Sequence, residues 1–104
     1  HGEAISIGMI LESYISHKIL KMPYDECMFI KKTINSKFKK IKIDSEDYKS
    51  ITNLIKFDKK NKDGKVLFVL LYKIGKSKID TEVPRKTIIE SLDYYSSWPM
   101  LNFY

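Results

Sequence analysis

Two short stretches of this chain hold residue types capable of chemistry: His1-Gly2-Glu3 at its start, and Asp58-Lys59-Lys60-Asn61 more than fifty residues later. A neutral imidazole nitrogen is a common zinc ligand, which makes His1 a candidate metal ligand. A catalytic zinc site takes about three protein ligands and keeps one position open, so a single histidine supplies only part of such a site. Glu3 can orient His1 or a neighbouring lysine from behind, or serve simply as a first-turn acid favoured by the helix dipole. Lys59 and Lys60 carry compact ammonium charges suited to a phosphate or carboxylate oxygen. Asp58 can orient them and Asn61 can add an amide contact. Taken without context, the same run reads as a solvated turn. His17 falls on the polar half of the first helical stretch with no evident partner and reads as a surface residue. The chain has no glycine-rich phosphate loop, no Ser-His-Asp set and no Cys-x-x-Cys pair, so its residues alone support no familiar nucleophilic or nucleotide chemistry.

The elements that must position these residues follow from hydrophobic spacing. A first helix is predicted over Gly2 to Leu20. Ile5, Ile7, Met9, Ile10 and Leu11 leave no clean polar face in its first half, whereas Glu12, Ser13, Ser16, His17 and Lys18 open one in the second. A helix apolar all round is a buried helix, and burial on every side is hard to supply within so short a chain, which points to a partner domain. Pro23 suits the first turn of a second helix, with Asp25 and Glu26 at the positive end of its dipole and Cys27, Ile30, Ile34 and Phe38 as its inward stripe. Lys31, Lys32, Lys37, Lys39, Lys40 and Lys42 fill the remainder and read as a solvated face. Asp44 and Asp47 form a capping pattern before a third helix, with Tyr48, Ile51, Leu54 and Ile55 on one side and an end near Phe57. Val66 to Tyr72 is β-rich, and Lys76 to Ile79 can pair with it across Ile74-Gly75. Pro84 opens a last helix with Ile88, Ile89, Leu92 and Tyr95 inward, stopped by Pro99. Trp98, Met100, Leu101, Phe103 and Tyr104 form an apolar tail expected to dock on a neighbouring surface.

The first nine residues, His-Gly-Glu-Ala-Ile-Ser-Ile-Gly-Met, resemble the helix entry of 3-dehydroquinate synthase and its sugar-phosphate cyclase relatives. Asp58-Lys59-Lys60-Asn61, followed by Gly64, the run Val66-Leu67-Phe68-Val69-Leu70-Leu71 and Ile74-Gly75, resembles a second motif of that family. The resemblance extends from His1 to about Tyr95. It implies a mainly α fold, the C-terminal helical domain of a two-domain enzyme, with four main helices and a small β-hairpin near residues 65–80. Residues 1–104 would then be one metal- and substrate-binding domain truncated at its N-terminus, without the NAD-binding domain. The implied activity is conversion of 3-deoxy-D-arabino-heptulosonate 7-phosphate to 3-dehydroquinate and phosphate in the shikimate route, using NAD and Zn2+ or Co2+. His1 would be one metal ligand, the others lying outside this chain. Lys59 or Lys60 would serve catalysis by holding the phosphate, Asn61 would add a substrate contact, and Glu3 and Asp58 would support these groups. No residue of this chain is expected to bind NAD, and the chain alone is expected to be inactive, binding neither cofactor tightly.

Composition is compatible with that reading and with two others. Lysines and arginines number 19 against 13 acids, a formal charge of +6, which suits nucleic acid, an anionic membrane or a phosphorylated small molecule. No apolar run approaches the roughly 18 residues needed to cross a bilayer. The lone Cys27 and the absence of a basic segment leading into an apolar one suit a cytoplasmic protein. Another sugar-phosphate cyclase making a cyclitol would share both motifs. A basic helical module binding nucleic acid would explain the lysines, but the basic run contains no arginine, and Phe38 and Tyr48 read as core positions rather than stacking platforms. A phosphorylated keto acid is therefore the expected partner, with no nucleic acid and no membrane, and the parent protein is expected to be a homodimer.

Overall fold

The structure, a computed structural model, describes residues 2–38, 40–59 and 63–97. The elements run α1 (Gly2–Leu20), α2 (Tyr24–Lys37), α3 (Asp47–Lys59), β1 (Leu67–Lys73), β2 (Lys76–Glu82) and α4 (Arg85–Ser97). The architecture is mainly α with a two-stranded antiparallel hairpin, as the pattern predicted. α1 is the central element, in contact with α2, α4 and β1. One core cluster gathers Ile10, Leu11, Met22, Cys27, Ile34, Leu92, Tyr94 and Tyr95. A second joins Ile15 of α1 to Phe68 and Leu70 of β1 and to Val83 and Ile88.

Each boundary has a local cause. α1 ends where Lys21 adopts φ 61, and the Met22 N–H then reaches back to the Ser16 carbonyl at 3.3 Å. That bond closes a seven-residue loop, 16–22, around the left-handed Lys21, with fully buried Met22 as its apolar plug. Pro23 accepts the first bonds of α2 through its carbonyl, from the Glu26 and Cys27 N–H groups. At α3 the Asp47 carboxylate accepts the Asp44 N–H at 3.1 Å, the reach-back half of a capping box, which agrees with the pattern read from the sequence. The helix continues two residues past Phe57 to Lys59. In the hairpin, Phe68 pairs with Thr81 and Leu70 with Lys78, so β2 holds one extra residue there; Asp80 at φ 51 absorbs the bulge. β2 therefore runs three residues further than expected, to Glu82.

Several expected core or surface assignments are corrected. Phe38 sits beyond α2 in extended conformation and is 43% exposed, because the helix stops one residue before the stripe would bury it. Leu54 is 67% exposed, since α3 rests on its neighbours through Tyr48, Ile51 and Ile55 and Leu54 points outside that arc. Ile89 is only half-buried, while Tyr94, unremarked in the pattern, is core.

The lysine run is not uniformly solvated. Lys31 is fully buried: its ammonium donates to the Tyr94 carbonyl at 2.6 Å and lies 3.8 Å from the centroid of the Tyr94 ring. Lys40 donates to the Ser96 carbonyl at 3.2 Å. The reason is that the last four carbonyls of a helix have no partner within it, and the last turn of α4 contains no basic residue of its own. α2 and the segment after it supply the two missing cations.

Two predictions follow from these joints. Lys21→Gly removes the penalty of a left-handed non-glycine residue and should raise thermal stability by up to about 1 kcal/mol, without lost packing because Lys21 is exposed; an unchanged or lower melting temperature would contradict the capping assignment. Burial, reinforced by the nearby Lys40 charge, lowers the Lys31 pKa from 10.5 to about 8. The folded state then disfavours the ammonium, so this group costs stability below pH 8 and the cost disappears as pH rises to 10.5. Denaturant titrations should show stability rising across that window by on the order of 2–3 kcal/mol, with the slope abolished in Lys31→Met.

Candidate functional site

The two motifs, distant in sequence, line one cleft. Ile5, Gly8 and Met9 come to it from the first half of α1; Lys59 closes α3, and Phe68 opens β1. The cleft has a volume of about 360 Å³. No heavy atom lies within 4 Å of where a Cβ on Gly8 would stand, so the helix surface is open there. Positions 5, 8, 12 and 15 follow one face of α1, and all four line this cleft.

Among its described lining residues the charged ones are Glu12 and Lys59, paired at 3.7 Å between Oε2 and Nζ. Their side chains retain 32% and 31% of their exposure. The Lys59 ammonium also stands 5.0 Å from the centroid of the Phe68 ring, within cation–π range. Burial raises the Glu12 carboxyl above its ordinary 4.5, and the Lys59 charge and hydrogen bond only partly oppose this. The arrangement is an ammonium fixed on an apolar wall and leaning on a carboxylate that is itself poorly hydrated, so the pair can release the lysine toward a stronger anion.

Of the predicted site residues, Lys59 is placed at this cleft. His1, Lys60 and Asn61 lie outside the described residues. Glu3 and Asp58 lie within α1 and α3, and their side chains are outside the description. Glu12 is the site residue that sequence reasoning missed: it was assigned to the polar half of α1. The spacing of seven from Ile5 placed it on the motif face all along.

His17 does not match its expected role as an unpartnered surface residue. It is half-buried, its Nδ1 is 2.8 Å from the Met22 carbonyl oxygen, and its ring packs at 5.1 Å against Tyr24. It braces the turn that ends α1. Among the described residues no group of three histidine, cysteine or acidic side chains could hold a metal ion. No helix of the described residues is long and apolar enough to cross a membrane.

Comparison with known proteins adds a relationship in sequence. The chain is 34% identical over 95 residues to the 3-dehydroquinate synthase of Parabacteroides distasonis, covering 91% of this chain and 27% of that protein. It is 35% identical over 89 residues to that of Picrophilus torridus, and 30% identical over 93 residues to that of Alkaliphilus oremlandii, in each case covering 26% of the relative and, respectively, 85% and 89% of this chain. No family model and no solved structure matches. The chain thus spans about a quarter of the length of the curated relatives it matches. By sequence, nine-tenths of it is a segment of the 3-dehydroquinate synthase kind.

Proposed function

We propose that the protein to which this chain corresponds is a 3-dehydroquinate synthase, and that the chain is a C-terminal part of it. The reaction is conversion of 3-deoxy-D-arabino-heptulosonate 7-phosphate to 3-dehydroquinate and inorganic phosphate. The observation that carries this reading is the identity of 34% across 91% of the chain, reinforced by the meeting of both motifs in one cleft. When bound, NAD would accept hydride from a substrate hydroxyl, the resulting ketone acidifying the neighbouring C–H bond, and a divalent zinc or cobalt ion would lower the pKa of that hydroxyl. His1 would hold that ion with ligands from outside this chain, and NAD would rest on residues outside it as well. The chain alone would accordingly have no turnover and little metal affinity.

This chain's own contribution is charge at the leaving group. Elimination leaves a phosphate dianion, and an ammonium already fixed in an apolar cleft stabilises it at little cost of reorganisation. Lys59 or Lys60 fills that role, with Asn61 beside them; Glu3 would orient His1, and Asp58 the lysines. Lys59 reaches the phosphate in competition with Glu12, which holds the ammonium when substrate is absent and yields it on binding. The basic balance of the chain, +6, favours approach of a phosphorylated keto acid.

The test is phosphate release by the full-length protein supplied with NAD and zinc. Release is expected from 3-deoxy-D-arabino-heptulosonate 7-phosphate and not from sedoheptulose 7-phosphate or glucose 6-phosphate. Silence on the first substrate with folded, metal-loaded protein would contradict the proposal, and release from either of the others would reassign the protein to cyclitol synthesis. Lys59→Met is expected to lower kcat/KM roughly tenfold or more, the scale of one hydrogen bond to a charged group. An unchanged kcat/KM, with the loss appearing in Lys60→Met instead, would move the role to Lys60.

A further inference from the structure

The proposed reaction uses Glu12 only as a holder of Lys59, but the surroundings of that carboxylate give it a further role. On the cleft side it is bordered by Met9, Ile15 and Phe68, and on its other flank by Ile30, Val69 and Leu71. Two serine hydroxyls share the second flank and both are committed: Ser13 donates to the Ile10 carbonyl and Ser16 to the backbone carbonyl of Glu12 itself, each at 2.7 Å. Neither α2 nor β1 turns a titratable group toward Glu12 there, and among the described residues lining both flanks Lys59 is the one cation. The charge of Glu12 therefore depends on a single ammonium 3.7 Å away.

We propose that Glu12 takes up a proton as Lys59 moves to the substrate's phosphate, so that substrate and proton bind together. This rests on the reading of Lys59 as the phosphate ligand given above. When Lys59 turns away, the carboxylate loses its counter-charge and gains a phosphate dianion as a neighbour, in a setting with no spare donor to replace the ammonium; both changes favour the neutral carboxyl. The proton comes from solvent, to which 32% of the side chain stays exposed. A neutral carboxyl no longer repels the phosphate and can donate a hydrogen bond within the cleft. Departure of inorganic phosphate returns the proton to solvent and restores the Glu12–Lys59 pair, so the same pair that admits substrate helps to expel product.

The sign of the linkage follows. In the free protein burial already raises the Glu12 carboxyl above 4.5 and Lys59 partly opposes this. In the complex that opposition is gone, so the carboxyl titrates higher still. Phosphate affinity is then greatest below the free-state value, declines as pH rises through the interval between the two, and levels above it.

Inorganic phosphate is the probe, titrated calorimetrically into the full-length protein loaded with NAD and zinc, across about pH 5 to about pH 9. The unaltered protein would be compared with Glu12→Gln, Glu12→Met and Lys59→Met. Phosphate's own protonation is common to all of them, so the ratio of Kd between the unaltered protein and a Glu12 variant isolates Glu12. At the alkaline end both Glu12 variants should bind phosphate roughly tenfold more tightly than the unaltered protein, the low end of the scale for a charged hydrogen bond because the pair is partly exposed. The ratio should fall toward unity at the acid end, and enthalpies in buffers of different ionisation heat should show a smaller proton uptake in both variants. A ratio that stays level with pH, while Lys59→Met still weakens binding, would overturn the inference and leave Lys59 as the phosphate ligand. Phosphate binding that is absent, or undiminished in Lys59→Met, would overturn both.

Discussion

A helix that is apolar on nearly every side must be surrounded, and this chain encloses α1 through Ile10, Leu11, Ser13, Ile15 and Ser16 while leaving Ile5 and Met9 of its first half about half exposed. Serines make the close approach possible. Ser13 and Ser16 are buried on α1, each hydroxyl donating at 2.7 Å to a carbonyl of its own helix, Ile10 and Glu12 respectively. Small side chains that satisfy themselves locally let neighbours come near without leaving polar atoms unpaired. Ser16 does more, because its oxygen also accepts the Leu71 N–H at 2.8 Å and so ties β1 to α1. Removing that joint would leave a strand N–H unpaired beside the core, and the hairpin would lose its seat along with the wall of the cleft that Phe68 provides.

The same logic explains the buried cation. α4 packs on α1 and must end near α2, where its final carbonyls would otherwise lie unpaired. Lys31 and Lys40 answer them. Lys31 lies four residues after Cys27 and three before Ile34, so it falls on the stripe as squarely as Ile30 does. Residue type alone argued for Ile30, and only the unmet acceptors of a helix distant in sequence decide for the lysine. Phe38 and Leu54 fail in the complementary way: their type says core, but one follows the end of its helix and the other points away from the contact arc.

Much of the architecture was readable because it rests on local chemistry. Gly2 to Leu20, the proline starts of α2 and α4, the reach-back of Asp47 and the hairpin across Ile74-Gly75 all follow from spacing and turn residues near in sequence. The candidate site was readable in its motifs and not in its partner. Glu12 is unremarkable in a linear pattern, since its role depends on α3 returning across α1. Residues that matter most to the proposed chemistry, His1, Lys60 and Asn61, lie outside the described residues, so the structural case rests on Lys59 and on the walls of the cleft. Those walls come from both motifs, and the relatives of the chain are 3-dehydroquinate synthases over the same stretch.

Glu12 and Lys59 join the two motifs in one partly desolvated cleft. The most direct test is a carboxyl NMR titration of Glu12 in the isotopically labelled chain, with the backbone amides of Gly8, Lys59 and Phe68 followed in parallel. Glu12 should titrate above 4.5, and the Lys59 and Phe68 amides should move with the same midpoint. A Glu12 midpoint at or below 4.5, with those amides unmoved, would show that the carboxylate is solvated and that the two motifs do not meet.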